Sequence, residues 1–192
     1  MIFSKLTMIL HTAIFRMKYH RKLLNAKVVS YRFINAKRSN FKVGSDFFSG
    51  PGLYISINKY SNLFIGDAVM FGPDVMILGG NHDYTYNINH LRYNKEHDTH
   101  SKDIIIESGV WIAARCTILS GAQICEGVVL GAGSIVSKYL PPYSICLGTP
   151  GRVIKSRFDT IEQLSIALKS CNSKYELKEV LNIYENYGIQ LR

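Results

Sequence analysis

The stretch from Ile106 to Val136 reads IESGVWIAARCTILSGAQICEGVVLGAGSIV and decides the fold. A branched aliphatic residue stands at every sixth position of it: Ile106, Ile112, Ile118, Ile124, Leu130 and Val136. Four residues after each of the first five stands a second small or apolar residue: Val110, Cys116, Ala122, Val128 and Ser134. An amphipathic helix repeats about every 3.6 residues and a half-buried strand about every two, whereas a step of six returns one short strand and one turn to the same place in a coil. The period therefore predicts a parallel β-helix.

The same step runs less perfectly through the first half of the chain and breaks once, at Lys59. Its large residues are Phe41, Phe47, Leu53, Ile65, Phe71 and Ile77. Gly66 and Gly72 each follow one of these residues, at corners where a Cβ would be crowded. Between the two halves lies a polar segment, residues 79–103, with four of the six histidines: His82, His90, His97 and His100. A coil accepts an insertion at a corner because the backbone there faces solvent, so we expect function in this loop.

Three units are predicted along the chain: a basic helical segment at 1–26, a β-helix domain at 27–157 with the inserted loop 79–103, and a helical extension at 158–192. Consecutive prolines at 141 and 142 end the coil because they cannot donate to a ladder. Two C-terminal helices are expected to cover the open end of the coil. Two residue pairs have the spacing of capping boxes: Asp159 with Glu162, and Ser173 with Glu176.

The net charge of +9 is unevenly placed, because ten of the 23 Lys and Arg fall in the first 42 residues and the first acidic residue is Asp46. This asymmetry favours an acidic partner such as an anionic membrane surface or glycan, and no motif indicates nucleic acid. A solvated basic face without a partner is the alternative. The first 24 residues also carry a helical apolar stripe, which either packs on the body or docks on a membrane; its members are Phe3, Leu6, Leu10, Ala13, Met17 and Leu24.

The chain has no apolar run long enough to span a bilayer. Its four cysteines lack C-x-x-C spacing, and two of them fall inside the six-residue repeat. This pattern suits free thiols better than disulfides or zinc, and a cytoplasmic location follows as an expectation.

Over residues 53–157 the chain closely resembles the hexapeptide-repeat acyltransferases. Within this family it resembles the sugar O-acetyltransferase branch, which includes the galactoside, maltose, capsule and lipopolysaccharide acetyltransferases. The matching segments are IGDAVMFGPDVMI (65–77), GNH (80–82), VWIA (110–113), GAGSIVSK (131–138), PPYS (141–144) and GTPGRVI (148–154). The resemblance implies a left-handed coil and a homotrimer with active sites between subunits. It also implies acetyl-CoA as donor, with no metal required.

The resemblance assigns His82 the place of the catalytic base, and histidine is the usual base near neutral pH. Asn81 and Tyr84 are candidates for acceptor binding, although Asn81 equally suits a turn. Seven residues match donor-contact positions: Trp111, Ala114, Ala132, Ser137, Lys138, Arg152 and Lys155. Without the resemblance, the three cations among them would read as ordinary surface charges and Trp111 as a packing residue.

The chain departs from the family pattern in the region 52–60, where the acceptor-binding Asn and Asp of galactoside enzymes have no clear match. The interpretation is an O-acetyltransferase that acts on a sugar, glycan or polysaccharide precursor by direct transfer. The alternatives are an amino-sugar N-acetyltransferase and a non-catalytic trimeric scaffold. A zinc enzyme of the γ-carbonic anhydrase kind is disfavoured because no histidine follows His100.

Overall fold

The computed structural model describes residues 2–19, 26–37, 39–94 and 100–191. Helix α1 (Ile2–Tyr19) comes first, and helices α2 (Ile161–Ser170) and α3 (Leu177–Asn186) come last. The first nine strands are β1 (Lys27–Val28), β2 (Tyr31–Asn35), β3 (Phe41–Val43), β4 (Phe48–Ser49), β5 (Leu53–Ile57), β6 (Leu63–Ile65), β7 (Met70–Phe71), β8 (Met76–Gly79) and β9 (Ile104–Ile106). The others are β10 (Trp111–Ile112), β11 (Thr117–Leu119), β12 (Gln123–Ile124), β13 (Val129–Leu130), β14 (Ile135–Val136), β15 (Tyr139–Leu140), β16 (Ser144–Leu147) and β17 (Arg152–Ser156).

The strands stack in three sheets, and each strand up to β15 is followed by one in the next sheet. Sheet A has the order β1-β4-β7-β10-β13-β16-β17, sheet B the order β14-β11-β8-β5-β2, and sheet C the order β15-β12-β9-β6-β3. Neighbours are parallel, except that β17 returns antiparallel on β16. Three consecutive strands therefore form one layer of a triangular coil, the architecture typical of a left-handed β-helix. The predicted fold class is confirmed.

The six-residue step marks the inside of the coil. All six branched aliphatics from Ile106 to Val136 are buried, and so are the five residues that stand four positions later. Strand β12 shows the rule in its shortest form, since Gln123 is exposed and Ile124 is fully buried. Lys59, where the step breaks, is exposed on an enlarged corner between β5 and β6. The break therefore lengthens one corner and leaves the core stack intact.

Two corner glycines are required by close approach of the next layer. A Cβ at Gly66 would lie 2.5 Å from the backbone nitrogen of Ser108, and one at Gly72 would lie 2.7 Å from that of Ala114. Because the obstructing atoms are backbone, a side chain would push two layers apart. The prediction of crowded corners at these glycines is confirmed.

Helix α1 closes the first layer of the coil, but not through the stripe that the sequence suggested. Phe15 is buried and stacks on Phe47, with ring centroids 5.9 Å apart. Thr12 exchanges hydrogen bonds with Val28, its Oγ1 donating to the carbonyl at 3.1 Å and accepting from the amide at 3.0 Å. The stripe residues Leu6, Leu10, Ala13 and Met17 are exposed, and Leu24 lies outside the described residues. The alternative that the stripe packs on the body is therefore wrong for these four residues, because the helix packs on the coil with its opposite face.

The β16–β17 hairpin ends the stack, and the two expected helices pack on the corner at Tyr143, between sheets C and A. Leu164 and Leu168 of α2 and Val180 and Tyr184 of α3 form a second core with Tyr143. The capping boxes are not the predicted ones. Thr160 and Gln163 cap α2 reciprocally, one residue later than expected, and the N-cap of α3 makes no side-chain bond. Among the described residues, no helix combines the length and the apolar character needed to cross a membrane.

Candidate active site

The loop 79–103 leaves sheet B after β8 and enters sheet C at β9, so its two ends meet at the edge between these sheets, the B/C edge. Gly80 has φ +114°, and a Cβ there would lie 2.5 Å from Asn58 Nδ2. Only glycine meets both demands without strain. The loop therefore begins with a backbone turn that packs directly on the enlarged corner after β5.

A hydroxyl joins the two ends of this loop. Ser101 Oγ accepts from the backbone amide of Asn81 at 3.0 Å and from Asn58 Nδ2 at 3.3 Å. Asn58 is held in turn, because its Oδ1 accepts from the amide of Tyr60 at 2.9 Å. The backbone next to His82 is thus tied to the coil and is not left to the loop alone.

His82 is exposed at this anchored base, where with Leu91, Arg92 and Asn94 it lines an open cavity of about 540 Å³. In the part of the chain that the structure describes, no hydrogen bond involves the His82 side chain. An exposed imidazole without such a hydrogen bond is available to accept the proton of a substrate hydroxyl.

Other loop side chains pack on each other. The rings of Tyr84 and His100 stack with centroids 4.2 Å apart. His100 Nε2 lies 3.4 Å from Asp83 Oδ1. The hydrogen bond from the Thr85 hydroxyl, with His100 adding to it, holds the pKa of Asp83 below its ordinary value. His97 lies outside the described residues.

The predicted donor-contact residues Trp111, Ala114 and Ala132 lie elsewhere, on sheet A and on its edge with sheet B. Trp111 points outward from β10 between Met70 and Val129 of the neighbouring strands. Ala114 and Ala132 are corner residues of adjacent layers, connected by the hydrogen bond from the amide of Gly133 to the carbonyl of Ala114 at 2.9 Å. Together they form an apolar outer wall with small side chains at its edge.

The four remaining donor-contact candidates lie in the upper layers. Ser137 and Lys138 are exposed at the B/C edge, between β14 and β15. Arg152 and Lys155 are exposed on β17, and Lys155 Nζ lies 3.8 Å from Asp159 Oδ1. The three cations among these candidates, Lys138, Arg152 and Lys155, therefore lie in the layers nearest the C-terminal end of the stack.

One subunit does not bring these candidates into a single site. His82, Asn81, Ser137 and Lys138 share the B/C edge, whereas Trp111 lies on sheet A. In a coil of triangular section, the edge between two sheets is opposite the third sheet. The two sets of residues consequently face in opposite directions from one subunit.

Three positioning residues were not among the sequence candidates: Asn58, Gly80 and Ser101. The break in the six-residue step at Lys59 marks the corner that holds Asn58 and was its only signal in the sequence, whereas Gly80 belongs to the GNH motif at 80–82. The hydrogen bond between Asn58 and Ser101 joins positions 43 residues apart, which no local sequence pattern reveals.

The cysteines lie away from His82. Cys116, Cys125 and Cys146 are buried, and burial raises the pKa of all three thiols, that of Cys146 to about 11. A buried and protonated thiol is a poor nucleophile, so these three cysteines are poor candidates for an acyl-enzyme. Among the described residues, no group of three or more His, Cys, Asp or Glu could hold a metal ion.

Comparisons with known proteins agree with this architecture. The coil and its edge loop define a hexapeptide-repeat protein, and the family model described as bacterial transferase hexapeptide (six repeats) matches residues 103–138. A probable macrolide acetyltransferase of Lysinibacillus sphaericus is 33% identical over an alignment of 125 residues, covering 55% of this chain and 69% of that protein. The chain belongs to the hexapeptide-repeat acetyltransferase family.

Two galactoside enzymes are also similar to the chain. The galactoside O-acetyltransferase of Escherichia coli (strain K12) is 34% identical over 117 residues, 61% of this chain and 54% of that protein. The solved structure of galactoside acetyltransferase in complex with coenzyme A is 34% identical with a TM-score of 0.55, covering 69% of this chain and 60% of that chain. The chain spans about half the length of the galactoside O-acetyltransferases it matches.

Proposed function

We propose that the chain is an acetyl-CoA-dependent O-acetyltransferase that acetylates a hydroxyl of a sugar, glycan or polysaccharide precursor. The observation that carries the proposal is the open imidazole of His82 beside a backbone that Ser101 ties to the coil. The similarity to galactoside O-acetyltransferases supports a sugar acceptor.

Transfer proceeds in one displacement. His82 takes the proton of the acceptor hydroxyl while its oxygen attacks the thioester carbonyl. The tetrahedral intermediate collapses, the C–S bond breaks, and the coenzyme A thiolate leaves and receives the proton from His82. Asn81, next to the base, is proposed to donate to the developing oxyanion or to hold the acceptor, and Tyr84 to contact the acceptor.

The donor is proposed to lie along sheet A. Trp111 walls the thioester arm, and Ala114 and Ala132 allow close approach to the backbone. From β10 to β17 the stack rises three strand spacings, roughly 14 Å. A thioester beside Trp111 would therefore place its phosphates near the cations of the upper layers, Arg152 and Lys155, with Ser137 and Lys138 reaching the donor from the B/C edge.

A site that uses both sets of residues needs two subunits, because sheet A and the B/C edge face in opposite directions. We propose a homotrimer in which sheet A of one subunit faces the B/C edge of the next. The proposal includes a cytoplasmic location, supported by the free cysteines.

Acetyl transfer should be assayed by release of coenzyme A, over sugar hydroxyl and sugar amine acceptors. Replacement His82→Ala should lower kcat about 10²- to 10⁴-fold, the range of general base catalysis. His90→Ala, an exposed histidine of the same loop, is the control and should leave turnover unchanged. Unchanged turnover in His82→Ala would disprove the base, and acetylation of amines alone would identify an N-acetyltransferase. Absence of transfer to every acceptor would favour the scaffold.

Mixed subunits test the shared site. Co-expressed His82→Ala and Trp111→Ala chains, each poorly active alone, should regain up to about a quarter of wild-type activity in random trimers. In such trimers some sites combine an intact His82 from one subunit with an intact Trp111 from its neighbour. No recovery would show that both residues act within one subunit, and full activity of Trp111→Ala alone would show that Trp111 is not in the site.

A further inference from the structure

Helix α1 has two faces, of which only one is used by the coil. Its inner face contributes Thr12, Phe15 and also His11, whose Nδ1 accepts from the backbone amide of Tyr31 at 3.1 Å. The outer face carries apolar residues that are exposed: Leu6, Ile9, Leu10, Ala13 and Met17. We call these five residues the outer stripe. Its large members are 59 to 68% exposed.

The outer stripe lies opposite the packed face. At about 100° per residue, its five members fall in a sector roughly 100° wide, centred about 180° from Phe15. The helix cannot turn the stripe inward without losing Phe15 from the core. A second partner is therefore needed to cover it.

The charges around the stripe select the kind of partner. Lys5 and Lys18 are exposed on the flanks of the same helix, and Lys27 is exposed just beyond it. No acidic residue precedes Asp46, and the chain carries +9 overall. A second copy of α1 would bring like charges together, which opposes self-association. An anionic bilayer accepts both the apolar stripe and the basic flanks.

We propose that the outer stripe of α1 binds the surface of an anionic lipid bilayer, with the helix lying along the interface. The stripe inserts among the acyl chains, and the lysines reach the lipid phosphates. The coil then stands on the membrane by its first layer. In a trimer the three copies of α1 would lie at the same end and bind together, which strengthens a weak single contact.

The experiment is co-sedimentation of the full chain with phosphatidylcholine vesicles, with and without about 30% phosphatidylglycerol. We expect binding to the anionic vesicles that weakens as salt rises. Replacement Ile9→Glu should lower the partition coefficient about tenfold or more, because a carboxylate enters the apolar face. Ile166→Glu is the matched control, since Ile166 of α2 is 63% exposed against 62% for Ile9 and the change in charge is the same.

Each outcome decides for or against the proposal. Loss of binding in Ile9→Glu, with binding kept in Ile166→Glu, supports it, provided that both variants unfold at the wild-type temperature. Equal binding by the two variants would overturn it, as would equal binding to neutral vesicles. Concentration-dependent assembly that Ile9→Glu abolishes, without vesicle binding, would show that another copy of the chain covers the stripe.

Discussion

Removal of the Ser101 hydroxyl should separate the positioning of His82 from the stability of the fold. Ser101→Ala deletes the acceptor shared by the Asn81 amide and by Asn58 Nδ2. Two hydrogen bonds at about 0.5 to 1.5 kcal/mol each give a loss of about 1 to 3 kcal/mol. For a chain of this size, each kcal/mol lowers Tm by about 2 to 4 °C. The expected fall in Tm is about 2 to 12 °C.

The catalytic effect should exceed this change in stability. With the backbone beside His82 released, the imidazole loses its fixed place, and displacements of about 1 Å cost up to about 10²-fold in rate. We expect kcat to fall roughly tenfold or more, measured well below Tm. The KM for acetyl-CoA should change little, because Ser101 is not among the proposed donor contacts.

Ser120→Ala is the matched control. Ser120 Oγ lies one layer higher at the same edge, where it accepts from the amide of Lys102 at 2.7 Å and donates to its carbonyl at 3.1 Å. Replacement Ser120→Ala removes these two hydrogen bonds to Lys102, and none to the residues beside His82. Ser101→Ala and Ser120→Ala should lower Tm by similar amounts, whereas kcat should fall much further in Ser101→Ala. Equal effects of the two replacements on kcat would refute the positioning role.

Two further predictions concern the coil. Ile124→Ala should lower the free energy of unfolding by about 2 to 5 kcal/mol, because it leaves a cavity in the core. Gln123→Ala, at the exposed neighbouring position, should change the free energy of unfolding by less than about 0.5 kcal/mol. Urea unfolding measures both changes. Equal losses of unfolding free energy in the two variants would contradict the assignment of Ile124 to the inside of the coil and of Gln123 to its outside. In thiol titration of the native protein near pH 8, the exposed Cys171 should react quickly, and the other three thiols should react only after denaturation, since burial raises their pKa. Rapid reaction of more than one thiol per native chain would contradict this burial.

The repeat determined the fold because it is local. In each hexad, two positions face inward whatever lies in the next layer, so Ile112 and Cys116 could be placed from the sequence alone. The inserted loop and the position of His82 followed from where the repeat stops. The prediction of the fold class from the repeat is confirmed, and so is the prediction of the family from the matching motifs.

Features that depend on distant contacts were missed or misassigned. Four of the five outer-stripe residues, all except Ile9, belong to the apolar stripe predicted from the sequence, but only the packing of Phe15 on Phe47 decided that they face away from the coil. Asp159 and Thr160 both stand three residues before a residue that can complete a capping box, and the structure selects Thr160.

By itself, then, the sequence determined the layered coil, its inward residues and the place of its interruption, because these follow from side chains repeated at a short, fixed interval. The tertiary structure alone decided that Asn58 and Ser101 meet at the loop base, and that His82 and Trp111 face opposite ways from one subunit. The physical reason is that a coil stacks residues from different layers, so contacts at its edges join positions separated by one or more whole turns.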